Sequence, residues 1–167
     1  MPTTQSLIGK AVALRGGARL GQIEDVIVDA RGAQVLALLL RPAASGEDIV
    51  LPFESVFELR TREVTVTTDD DLVVIGRLPK VVFARDHGPH VGRTLLLSSG
   101  GARLGVVSDV HFDSDSTDVT GYEVAASGAP TRLVYVPAQH AAFGQDGALR
   151  LTPRADTFFA HMAREPT

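Results

Sequence analysis

The hexapeptide Gly-Gly-Ala-Arg-Leu-Gly occupies residues 16–21 and returns, letter for letter, at residues 100–105. The match extends well beyond the six letters. Downstream, Gly21-Gln-Ile-Glu-Asp-Val-Ile-Val-Asp29 lines up with Gly105-Val-Val-Ser-Asp-Val-His-Phe-Asp113 at an offset of 84, and Val35-Leu-Ala-Leu-Leu-Leu40 with Val119-Thr-Gly-Tyr-Glu-Val124. One residue later in offset, the segment around Pro52 meets the segment around Pro137, and Val64-Thr-Val66 meets Leu149-Arg-Leu151. Upstream, Ile8-Gly9-Lys10 corresponds to Val91-Gly92-Arg93. Offsets that drift by single residues, with the changes falling in turns, mark a tandem duplication: one structural unit written twice.

Each copy reads as short β-strands joined by tight turns. In the first copy the expected strands are 10–15, 20–29, 33–41, 48–53 and 63–67, with a last short strand at 72–75. Gly16-Gly17, Arg31-Gly32 and Ala44-Ser45-Gly46 punctuate them, glycine supplying the positive φ of hairpin turns. Pro52 and Pro137 fall at strand ends, where a missing N–H does no harm. Within the long second strand the apolar alternation runs Ile23, then Val26 and Val28, slipping phase at Glu24-Asp25. Its counterpart runs Val107, then Val110 and Phe112, slipping at Ser108-Asp109. A phase change inside a strand predicts a β-bulge, which bends a strand so that a small sheet can curl.

The expected organisation is a first barrel over 1–76, a connector over 77–90, a second barrel over 91–152 and a C-terminal helix and tail over 153–167. Pro79, Gly88 and Pro89 break the connector. Pro153 near the start, with Phe158, Phe159 and Met162 at helical spacing, predicts a short helix packed across a barrel.

Composition narrows the function. Cysteine is absent, which excludes disulfides, thiolate nucleophiles and thiolate metal sites. The net charge of −4 is spread evenly over both copies, without the basic stripe of a nucleic-acid binder. The first ten residues lack a cationic stretch followed by an apolar run, and the longest apolar run, 35–40, is far below the roughly 20 residues of a membrane helix. The expectation is a cytoplasmic protein with no membrane span and no direct DNA binding.

A turn, then a Gly-x-[Val/Ile]-x-Asp-Val-x-[Val/Phe]-Asp strand, then an apolar strand and an apolar-Pro stretch resembles the PRC-barrel. That small β-barrel is named for the photosynthetic reaction-centre H subunit and is also found in the ribosome maturation factor. The pattern stands at residues 21–29 with Val50-Leu-Pro52, and again at 105–113 with Tyr135-Val-Pro137. The resemblance implies an all-β chain of two tandem small PRC-type barrels with a short C-terminal helix. It implies a non-catalytic protein-interaction or scaffold module, and brings no catalytic residues or cofactor. The H subunit carries a membrane-spanning helix that this sequence does not show. The ribosome factor sets another domain before a single barrel, whereas here the barrel pattern starts within ten residues of Met1.

Four constellations could carry chemistry. The glycine hexapeptides lack the Lys-Ser/Thr and following helix of a phosphate loop, so they read as hairpins. Asp113, Asp115 and Asp118 open like a calcium loop, but Asp118 stands where glycine belongs and Val124 where glutamate belongs, predicting a solvated turn. Ser108, Asp109 and His111 suggest a hydrolase, yet the first copy has Glu24, Asp25 and Ile27 there, and Asp25 and Asp109 read instead as acceptors for bulge amides. His87 and His90 flank Gly88-Pro89 beside Asp86, and read as an exposed connector pair rather than metal ligands. No catalytic, cofactor or metal site is expected, and the partner expected is a protein. The other functional readings are an accessory factor in ribosome assembly or RNA processing, and a ligand-binding protein or enzyme using the groove between barrels. Exposed strand edges also make a homodimer compatible with the sequence.

Overall fold

Both hexapeptides are hairpin turns. Leu14 N–H donates to Ala18 O at 2.8 Å and Ser98 N–H to Ala102 O at 2.8 Å, and the reversals pass through Gly17 and Gly101 at φ +100° and +96°. Such angles cost an L side chain about 1–2 kcal/mol, so glycine is required there. The computed structural model describes residues 2–41, 48–129 and 131–164. The turn expected at Ala44-Ser45-Gly46 and the last residues of the tail lie outside them.

A one-turn helix α1 (Thr4–Leu7) precedes β1 (Ala11–Leu14), β2 (Arg19–Val28), β3 (Val35–Arg41), β4 (Ile49–Pro52), β5 (Val56–Leu59), β6 (Glu63–Val66) and β7 (Val73–Val74). Helix α2 (Pro79–His87) then leads to β8 (Leu95–Leu97), β9 (Arg103–Phe112), β10 (Val119–Ala126), β11 (Leu133–Pro137), β12 (Ala141–Phe143) and β13 (Leu149–Leu151). Helix α3 (Pro153–Arg164) follows. The chain is all-β, in two curled half-barrels. One sheet runs β5-β6-β1-β2-β3-β4-β7 and the other β11-β10-β9-β8-β13-β12. In each, a late strand returns parallel to the first, β6 beside β1 and β13 beside β8, while the other pairings are antiparallel.

The expected bulges are present and equivalent. Ile23 faces Leu40 and Asp25 faces Leu39, leaving Glu24 as the extra residue; Val107 faces Val124 and Asp109 faces Glu123, leaving Ser108. Each bulge bends its long strand, and the bend lets a narrow sheet wrap around its own apolar side chains.

Those side chains do not form two separate cores. A single cluster holds Val12, Leu38 and Leu51 of the first sheet together with Leu96, Val107 and Phe112 of the second. Phe53 and Phe112 meet edge to face, centroids 5.4 Å apart. Along the seam Val35 N–H donates to Thr117 O at 2.9 Å and Val119 N–H to Ala33 O at 2.8 Å. These two bonds exchange under the 84-residue offset, and between them Gln34 pairs with Asp118, its own counterpart. A local pseudo-two-fold axis therefore passes through this pair, as in an isologous dimer joined into one chain. The buried Tyr122 hydroxyl donates across the seam to Gly32 O at 2.7 Å.

Two helices depart from the sequence expectation. In the connector, Pro79 and Gly88 delimit a helix rather than interrupt a loop: proline suits a first turn, and Gly88 caps the end by donating to Ala84 O at 2.7 Å. Val81 and Ala84 of α2 pack on the outer face of the first sheet with Ile27, Ala37, Leu39 and Val50. At the N-terminus, Thr3 and Ser6 form a capping box that starts α1. Helix α3 packs as expected, through Ala155, Phe159 and Met162 against the shared core, although Phe158 points to solvent. Its Asp156 carboxylate accepts from the Ser99 N–H at 2.9 Å and from the Ser99 hydroxyl, and these bonds hold its pKa below the usual carboxylate range.

Two outcomes follow from the common core. Phe112→Ala is expected to cost about 3–5 kcal/mol and to remain a single transition, with amide protection in β3 falling together with that in β10. Loss of protection in the second sheet alone would contradict a shared core. Burial, with a smaller contribution from Asp29, pushes the Tyr122 phenol well above its ordinary value of 10.0. The native state therefore favours the neutral phenol, and its stability is complete below pH 10 and declines as pH rises beyond it. Titrated by phenolate absorbance, Tyr122 should ionise only as the protein unfolds, and Tyr122→Phe should remove that late phase.

Candidate functional site

The duplication allows the two sheets to be compared position by position. On the outer face of the first sheet, Ile27, Ala37, Leu39 and Val50 are apolar and covered by α2. Their counterparts in the second sheet are His111, Gly121, Glu123 and Tyr135, and among the described residues no helix packs over them as α2 does over the first sheet. This accounts for β3 reading as an unbroken apolar run while β10 alternates: β3 is buried on two faces and β10 on one.

The open face is built from three adjacent strands. Glu123 of β10 stands between Asp109 of β9 and Tyr135 of β11. His111 Nε2 lies 3.4 Å from Glu123 Oε2, and the His111 ring meets the Tyr135 ring edge to face at 5.2 Å. The Tyr135 hydroxyl donates to Thr120 O at 3.1 Å, which lays the ring across Gly121. A Cβ at Gly121 would sit 2.3 Å from that ring, so glycine makes the arrangement possible. Leu133 and Tyr135, with 54% and 41% of their surface exposed, give the face its apolar content. An imidazole, a carboxylate, a phenol and an aliphatic side chain thus stand together on three adjacent strands.

The residues singled out in the sequence fall as follows. Ser108 donates to Glu123 O at 3.2 Å, His111 turns to the Glu123 carboxylate, and the Asp109 carboxylate is taken up by Val110, Gln5 and Thr4. The three therefore do not form a proton relay. Asp109 Oδ1 accepts from Val110 N–H at 2.8 Å, and also from Gln5 N–H at 3.1 Å and the Thr4 hydroxyl at 3.4 Å. Asp25 Oδ1 accepts from Val26 N–H at 2.8 Å. Both bulge carboxylates thus hold the amide that follows them, and Asp109 also pins α1 to the opposite half.

Asp113 Oδ1 accepts from the amides of Asp115 and Ser116, at 2.8 and 3.1 Å, and these bonds hold its pKa below the ordinary value. Asp118 instead accepts from Gln34 Nε2 at 3.1 Å. Among the described residues, no three His, Asp or Glu side chains converge as a metal site would need. His87 stacks on Phe83 at 4.4 Å, and His90 N–H donates to the Thr94 hydroxyl at 2.8 Å. Both histidines line an open groove of about 610 Å³ between α2 and the turn at Gly144-Gln145-Asp146, beside Arg93.

Sequence reasoning did not reach Glu123 and Tyr135. The available signal was the aligned pair of strands at 35–40 and 119–124, where the outward positions change from apolar to polar or glycine.

The two bulge aspartates yield a graded outcome. Asp25→Ala removes one acceptor and should cost about 1 kcal/mol, whereas Asp109→Ala leaves three donors unpaired and should cost about 2–3 kcal/mol. Urea titration measures both, and equal losses would contradict the docking role of Asp109.

Residues 4–73, from α1 to the start of β7, match the family model of the PRC-barrel domain. The second sheet repeats the same curled arrangement in tandem. No curated protein matches the chain.

Proposed function

We propose that this tandem PRC-barrel chain works without chemistry of its own, as a scaffold that binds a protein partner through the outer face of β9, β10 and β11. PRC-barrel domains serve in general as protein-interaction modules. The observation that carries the reading is the asymmetry between the halves. One face is sealed by α2, while its equivalent is open and presents Leu133, Tyr135, His111 and Glu123. Exposed apolar and aromatic side chains ringed by polar groups are the composition of a recognition patch. The divergence of Ser108, Asp109 and His111 also favours binding over catalysis. A cysteine-free chain without a long apolar helix among the described residues fits a cytoplasmic setting.

The reading is tested by capturing partners from native lysate with the intact protein and with Tyr135→Ala and Phe158→Ala variants. Phe158 is a comparably exposed aromatic on α3, outside the three strands of the face. A partner on the proposed face is lost at least tenfold with Tyr135→Ala and kept with Phe158→Ala. Equal recovery by all three proteins would overturn it.

A further inference from the structure

The edge of β11 differs from the other strand edges of the molecule. At the ends of the first sheet, β7 has two residues, and β5 carries a register shift between Val56 and Glu58 with Arg60 paired to Glu58 and Glu63. At the far end of the second sheet, β12 has three residues. Shortness, irregularity and charge are the usual protections of an edge. Strand β11 has none of them over Leu133-Val-Tyr-Val136: it pairs in unbroken register with β10 and carries no charge.

Its free groups can be read from the ladder. Ala126 N–H donates to Arg132 O at 3.1 Å, so by antiparallel alternation Val134 and Val136 turn their backbone groups to β10. Leu133 and Tyr135 direct N–H and C=O away from the sheet, and Pro137 has no N–H to offer. Helix α3 packs on β11 through core residues Ala155 and Phe159, and among the described residues it supplies no backbone partner to the strand.

The first half contains the same edge with an occupant. There β7 pairs antiparallel with β4, Val73 facing Val50, and Ile75 N–H donates to Asp48 O at 3.0 Å. Asp48 and Val50 correspond to Leu133 and Tyr135. Among the described residues, the position that takes an antiparallel strand in one half is therefore left open in the other.

We propose that a second copy of this chain fills that position, β11 pairing antiparallel with β11 of the partner about a two-fold axis at Val134. The strand is self-complementary in this register. Leu133 lies opposite the partner copy's Tyr135 and Tyr135 opposite its Leu133, so the two exposed apolar side chains of each edge cover one another. All four outward N–H groups find carbonyls. Charge is compatible as well: Arg132 lies opposite an uncharged valine, and the two Arg132 residues stand four positions apart along the ladder, roughly 13 Å. The result is a continuous twelve-stranded sheet that presents the β9–β10 face twice. The inference uses the strand's edge, whereas the proposed docking uses its face, so either can fail alone.

Because the chain has no cysteine, the register can be tested directly. Leu133→Cys and Tyr135→Cys are made separately and oxidised alone and mixed. Facing residues of such a pair are about 5.5 Å apart, within disulfide reach. The expected result is a covalent dimer in the mixture, at least fivefold above either variant alone. Light scattering should give twice the chain mass for the unmodified protein and one chain mass for Leu133→Lys, with unchanged circular dichroism because Leu133 is exposed. A single-chain mass for the unmodified protein, or cross-links as abundant in the separate variants as in the mixture, would overturn the proposal. A single-chain mass for unmodified protein that still captures a partner would leave the docking face standing without the dimer.

Discussion

The fold rests on a shared apolar core, and that core rests on two bent strands. The two half-barrels bury their side chains together: Phe112, Val107 and Leu96 belong to one cluster with Leu38, Leu51 and Phe53, and Phe53 meets Phe112 edge to face. The bulges at Glu24 and Ser108 give each sheet its bend, and the bend brings the inner faces together. Polar contacts at the seam follow from that geometry. The Gln34–Asp118 pair and the reciprocal bonds at Val35 and Val119 form where the two copies approach their common axis.

Symmetry at the seam is combined with asymmetry on the outer faces. After β6 the chain makes β7 and then α2, which cap an edge and a face of the first sheet. After β13 the chain makes α3, which packs on the core instead. The second sheet therefore keeps open what the first has closed, and its sequence is adapted to water: His111 for Ile27, Glu123 for Leu39, Tyr135 for Val50. Duplication accounts for the two sheets, and the one without a helix packed on its outer face carries polar side chains where the other carries apolar ones.

Side chains that resemble chemistry in a linear reading have structural work here. Asp109 looks like part of a hydrolase set, yet it holds the bulge amide and pins α1 across the seam. Asp113 has the spacing of a cation ligand, and its oxygen is occupied by two amides of its own turn. In each case a carboxylate satisfies backbone groups that the bent β architecture would otherwise leave unpaired.

By itself, the sequence determined the duplication, the all-β class, the hairpins at Gly17 and Gly101, the two bulges and the C-terminal helix. All of these are written in local signals: a repeated string, the period-two alternation and its slip, glycine where φ is positive, apolar residues at helical spacing. Only the tertiary structure decided that the copies share one core, that the connector is a helix covering a sheet, and that Glu123 and Tyr135 meet His111 on an open face. Alternation assigns a side chain to one side of a strand, but what lies on that side is set by elements distant in the chain. Val50 and Tyr135 occupy equivalent positions, and α2 covers one and leaves the other open.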